Sequence, residues 1–228
     1  IYLCYMFAYK KSKVEIPSAT FETTSPFKVI ANSKWLTNIL LIVVFMQISI
    51  AFGDYIFNAY LENHIPTKDL RTEYCGRMIS IINSISMGFQ LLGGFLTIHF
   101  LGLKNAHRLV PIYLLLNTGL FFFFPTFAIV SYLFIAIKAL DFSFFSVIRE
   151  MLYIPLKPDE KFRAKAVIDV FAYRSAKALA SFLLLFLQFV TASKPLYLVG
   201  VLSVITFLLW SFVVYLMFKK QQDLAFVK

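Results

Sequence analysis

Apolar residues along this chain gather into six long runs separated by short polar breaks, at residues 35–60, 75–101, 109–124, 127–152, 164–190 and 195–218. All but the third reach the roughly 20 residues that cross about 30 Å of hydrocarbon as a helix, and the third gains length from its flanks. Pro125 and Thr126 leave a two-residue hinge between the third and fourth runs, which predicts an antiparallel helical hairpin. The pattern predicts an all-α integral membrane protein. Its six-helix transmembrane bundle occupies residues 35–219, with residues 1–34 before it and a short tail, 220–228, after it.

Two polar stretches frame this bundle. Residues 12–33 carry Pro17, Pro26 and several Ser and Thr without helical periodicity, and read as a cytoplasmic linker. Residues 1–9 are apolar but too short to span, and read as the end of a preceding helix. On this reading the chain is the C-terminal half of a carrier of six plus six helices, whose first partners are the missing N-terminal half and the lipid bilayer. A six-span homodimer is the other arrangement.

Apolar residues make up 60% of the chain and charged residues 15%, in keeping with a membrane protein. The net charge of +10 would point to nucleic acid or acidic lipid in a soluble protein. Here it orients the helices, and no nucleic-acid partner is expected. Lys and Arg number five in residues 10–34, two at Lys104 and Arg108, five in residues 149–165 and three in the tail, fifteen on one side; Lys68, Arg71, Arg77 and Lys194 make four on the other. That asymmetry predicts a multi-pass protein of the cell (inner) membrane with both ends cytoplasmic. Cys4 and Cys75 then lie on opposite sides and predict no disulfide.

Charges inside spanning helices need a partner or a cavity, and the chain keeps several. Lys138 lies near the middle of the fourth run with Asp141 one turn on. This spacing predicts an intrahelical ion pair or a contact to an anionic substrate, and the two are compatible. The fifth run carries Asp169, Tyr173, Arg174 and Lys177, which an ideal helix projects from one side. Two cations, a carboxylate and a phenol on one face suit a polar pathway. Asp54, near Tyr55 and Asn58, is either a surface acid or a partner for one of the cations. Arg149 and Glu150, at the inner end of the fourth run, read as a solvated loop or as an inner gate whose charges re-pair when helices rock. His99 reads as interfacial. Gly88, Gly93 and Gly94, and Ala176, Ala178, Ala180 and Ser181, suit close helix packing or a flexing helix beside a pathway.

The chain has no phosphate-cradling P-loop, zinc-protease motif, C-x-x-C or nucleophile elbow. An enzyme is not expected, and neither a cofactor nor a metal is needed for binding and moving a solute.

The segment REMLYIPLKPDEKFRAKAVIDVFAYRSAK, from Arg149 to Lys177, resembles the corresponding stretch of the ATP/ADP translocase family of plastids and obligate intracellular bacteria, distant relatives of the major facilitator superfamily. The run GDYIFNAYLENHIP, from Gly53 to Pro66, is a weaker likeness to that family's seventh helix. The resemblance implies helices seven to twelve of twelve, and a nucleotide-transport role for the acid at Asp54 and the cation at Lys177. Two positions depart from the family pattern: Asn58 stands where a Lys is common, and Ala176 where a Gly precedes the eleventh-helix Lys.

These readings converge on exchange of nucleotides, or another phosphorylated anion, by alternating access. Lys177, Arg174 and Lys138 would attract the phosphates, Asp54, Asp141 and Asp169 would hold those cations in the empty site, and Tyr173 could stack on a base. The alternatives are a proton-coupled facilitator for another solute and a non-transporting membrane protein. Orientation is testable first. An impermeant thiol reagent applied to intact cells should miss cysteines placed in residues 10–34, 102–108 and 153–163, and efficient labelling of a cysteine at Ser12 would reverse the topology.

Overall fold

The structure, a computed structural model, describes residues 25–96, 102–156, 158–191 and 195–225. Within the described residues every predicted run becomes a long helix. After a short α1 (Pro26–Asn32) come α2 (Lys34–His64), α3 (Lys68–Leu96) and α4 (Gly102–Phe123). Helix α5 runs through Phe127–Leu140, a π-helical turn at Asp141–Phe145 and Ser146–Leu152. Helix α6 does the same through Pro158–Lys165, a π-helical stretch at Ala166–Ala172 and Tyr173–Thr191, and α7 is Leu196–Ala225.

Local signals explain the boundaries. The expected hinge is present, since α4 ends at Phe123 and the Thr126 hydroxyl caps α5 by accepting from the Ile129 N–H. The expected linker is partly helical instead. Ser25 caps α1 and Pro26 takes its first position, so two start signals outweigh the polar composition. Phe27 then meets Phe171 edge to face, tying α1 to α6. The preceding-helix reading of residues 1–9, His99 and Cys4 lie outside the described residues.

Helix α2 is the axis of the bundle, packing against α7, α6 and α5. One half of the core gathers Leu36, Ile39, Val43 and Ile50 with Phe145, Leu152, Ile168 and Trp210. The other gathers Phe52, Phe57, Leu61, Phe121, Val130 and Val199. Ring contacts mark the two ends: Trp35 and His107 both meet Phe218 at one, and His64 meets Phe127 while Phe122 meets Tyr197 at the other. Successive long helices therefore alternate in direction, and the basic segments around Lys34, Arg108, Arg149 and Lys165 share one end.

Among the described residues five helices are long and apolar enough to cross a membrane: Lys34–His64, Lys104–Phe123, Phe127–Phe145, Glu160–Thr191 and Leu196–Lys219. Helix α3, the second expected span, has the length at 29 residues but is not among them. Its first ten residues include Lys68, Asp69, Arg71, Glu73 and Arg77, and Asn83 and Gln90 interrupt the apolar remainder. Polar residues on its inner face serve packing. Ser86 donates to the Ala139 carbonyl at 3.3 Å and Gln90 to the Phe142 carbonyl at 2.8 Å, both on α5.

The small residues bear out the packing reading only in part. Ala172, Ala176 and Ala180 are buried at successive turns of α6, which packs on α2, so they let the backbones approach. Ala178 and Ser181 are exposed, and a side chain at Gly88 would meet open space. Ala176→Leu should therefore wedge α6 from α2 at a cost of about 1–3 kcal/mol, whereas Ala178→Leu should cost little. Thermal unfolding in detergent checks this, and equal midpoints for the two variants would remove Ala176 from the interface.

Candidate functional site

Lys138 is the deepest cation of α5, and it does not pair within its own helix. Its ammonium reaches across to Asp54 on α2, 2.8 Å from Oδ1 and 2.9 Å from Oδ2. The expected Lys138–Asp141 intrahelical pair is thus corrected. A carboxylate on a neighbouring helix meets the charge of this long side chain: Oδ2 accepts its hydrogen bond, and Oδ1 lies close by without one. Lys138 is only 18% exposed and Asp54 37%, so the pair lies at the margin of an opening. Phe134 lies 5.8 Å from the ammonium and lends it a ring face. Asn58 turns inward on its own helix, donating to the Asp54 carbonyl.

A second charged group gathers about three turns further along α5. Arg149 faces Asp169 of α6 at 3.6 Å, with the two side chains 18% and 17% exposed. Tyr153 donates its hydroxyl to the same carboxylate at 3.1 Å. Burial, and the Asp169 charge beside it, push the Tyr153 phenol above its ordinary pKa, so it remains a donor. Lys165 and Glu150 close a further pair at 2.6 Å. The two residues expected to form a gate therefore each bind a charge on α6.

Between these groups lies a cleft of about 480 Å³ lined by Met46, Asp141, Phe142, Phe145, Ser146, Arg149, Asp169 and Tyr173. Its volume falls within the range of small-molecule sites. Asp141 lies within electrostatic reach of Lys138, Lys177, Arg149 and Asp54, which makes it the centre of the charged network. Lys177 is exposed and rests 4.8 Å from the Tyr173 ring centre. Arg174 is exposed and is not part of the cleft lining. Ideal helical geometry puts it at the edge of that face, five 100° steps from Asp169, and it is the member that falls outside the cleft.

Both π-helical segments border this cleft, and each contains one of its carboxylates. Such a turn displaces backbone carbonyls from the regular ladder, and inside a membrane these need new donors. Ser86 and Gln90 supply them on α5. Their i, i+4 spacing in an apolar run was the available signal. Gln47 carried no such signal: it is wholly buried on α2, and both atoms of its amide lack a hydrogen-bond partner among the described residues. It lies two turns before Asp54 on the same face, which extends the polar stripe into the core.

The family profile of the TLC ATP/ADP transporter matches residues 3–137 and 127–221. The chain belongs to that family. Among curated proteins, "ADP,ATP carrier protein 1" of Rickettsia typhi is 24% identical over 225 residues, covering 87% of this chain and 45% of the relative. The "Plastidic ATP/ADP-transporter" of Solanum tuberosum is 27% identical over 221 residues, covering 86% of this chain and 34% of its own length. The chain thus spans less than half the length of these relatives. No solved structure matches it. Membership of the TLC family agrees with the resemblance read from the Arg149–Lys177 segment, and that segment supplies Arg149, Tyr153 and Asp169, which meet in space.

The Lys138–Asp54 assignment is testable by rescue. Removing either partner leaves a charge in a spanning helix at a cost of about 2.5–3.5 kcal/mol, so Lys138→Ala and Asp54→Ala should each lower the yield of folded protein. The double variant should regain part of it. Rescue of Lys138→Ala by Asp141→Ala instead would restore the intrahelical pair.

Proposed function

We propose that this chain forms one half of a carrier that exchanges nucleotides, of the ATP and ADP kind, across a membrane by alternating access. The observation that carries the reading is the cleft in which Asp141, Arg149, Asp169 and Tyr173 meet, beside the Lys138–Asp54 pair and within reach of Lys177. Cations there suit phosphate groups, and the aromatic rings of Tyr173 and Phe142 offer faces to a base. The names of the Rickettsia and potato relatives support the substrate class, and their greater length supports a second bundle facing this one. In this proposal residues 1–34 lead into the bundle, residues 35–219 span the inner membrane, and both ends face the cytoplasm.

Exchange follows from the pairing. Lys138 and Arg149 of the empty site each rest on an internal carboxylate, so those pairs close without substrate, and an entering phosphate competes with the carboxylate. Lys177 and Arg174 are the exposed cations that would meet the phosphates first. Arg149–Asp169 and Lys165–Glu150 would act as the inner gate, breaking and re-forming as α5 and α6 separate.

The complete carrier, expressed in bacterial cells, should take up labelled ATP at a rate set by internal ADP. Uptake that follows an imposed pH gradient and ignores internal nucleotide would favour the proton-coupled facilitator instead. Lys177→Ala should cut uptake roughly tenfold to a hundredfold at unchanged membrane content, the loss expected for one charge-assisted contact.

A further inference from the structure

We propose that Arg149 is the phosphate-binding arginine of the cleft, and that Asp169 is the internal anion it releases when a nucleotide enters. The proposal deepens the exchange reading above and rests on it. Arg174, the arginine grouped with the candidate site on the sequence, is exposed and outside the cleft. Arg149 lines the cleft, on a spanning helix of the bundle, and most of its side chain is covered.

Its bond to Asp169 is loose. At 3.6 Å the two charges attract, yet the buried Nε–H of Arg149 makes no hydrogen bond. A guanidinium with an unspent buried donor retains capacity for a better acceptor, and phosphate oxygens match its planar fork. Asp169, by contrast, has a second donor in the Tyr153 hydroxyl at 3.1 Å. When Arg149 turns to phosphate, the carboxylate keeps that bond and is not left bare. This asymmetry makes the exchange of partners cheap: the arginine gains acceptors and the acid retains a donor. The wide turn holding Asp169 allows α6 to yield at that point.

Proteoliposomes carrying the complete protein test this by counterexchange of labelled ATP against internal ADP, with tripolyphosphate and adenosine as external inhibitors. Arg149→Gln should raise KM for ATP roughly tenfold to a hundredfold and weaken tripolyphosphate by the same factor, leaving adenosine unchanged. Arg149→Lys should recover part, because a point charge replaces the fork. Asp169→Asn should lower KM and slow turnover, since the competitor is gone and release suffers. Equal weakening of tripolyphosphate and adenosine, or an unchanged tripolyphosphate inhibition in Arg149→Gln, overturns the assignment. If Arg149→Gln fails to reach the membrane, Arg149→Gln/Asp169→Asn, which leaves no unpaired charge, is judged by the same inhibitors. Wild-type liposomes that exchange no nucleotide refute the exchange reading and this inference with it; working wild type with an indifferent Arg149→Gln refutes only the inference.

Discussion

An ammonium or carboxylate in hydrocarbon has to be neutralised by a neighbour, and this bundle meets that requirement between helices rather than within them. Lys138 of α5 holds Asp54 of α2, and Arg149 of α5 faces Asp169 of α6. Because α2 also packs along α7, the Lys138–Asp54 contact fixes α5 against the bundle's axis. The backbone obeys the same rule. Widened turns at Asp141–Phe145 and Ala166–Ala172 interrupt the regular ladder, and the inner face of α3 meets that need at α5 through Ser86 and Gln90.

Charge pairs that join helices are also the contacts that can change when helices move. A pair confined to one helix would survive any rigid-body motion of that helix unchanged. Lys138–Asp54, Arg149–Asp169 and Lys165–Glu150 all cross an interface, so separation of α5 from α2 or α6 breaks them. The cost of breaking must be met by something that binds the freed charges, and on the proposed exchange that is the nucleotide. Close packing restricts which helices move: Ala172, Ala176 and Ala180 bring α6 tightly onto α2, which favours hinging at the π-helical stretch over sliding of the whole helix.

The helices were legible because their cause is local. A run of apolar residues bounded by Pro125–Thr126 or by Ser33 specifies its own limits, and the structure reproduces them within a few residues. The charged residues were legible as a set, since a Lys or Asp in such a run is conspicuous. Their partners were not. Lys138 and Asp141 are neighbours on a helix, whereas Asp54 lies 84 residues away, and only the packing of α5 on α2 brings it near. Arg174 failed for a different reason: it stands at the edge of the face that holds Asp169, Tyr173 and Lys177, and angle alone does not say where a cleft ends. Helix α3 was read as an ordinary span, although its polar residues serve its contact with α5.

The balance of charge around Asp141 bears on why an empty site would be stable. Lys138, Arg149 and Lys177 are the cations, and Asp54, Asp141 and Asp169 the carboxylates, so the group is neutral when every member is ionised. A neutral cluster with two of its ion pairs formed can be enclosed at far lower cost than three bare cations. An anionic substrate upsets that balance unless the cations it recruits leave carboxylates with other donors. Asp169 has one in Tyr153, and Asp54 is the more exposed of the two, 37% against 17%. On the proposed exchange, Asp54 would turn to water while Asp169 turns to Tyr153. The two carboxylates that would give up their cations are the two with somewhere else to go, and on that exchange one set of residues would stabilise both the empty and the loaded carrier.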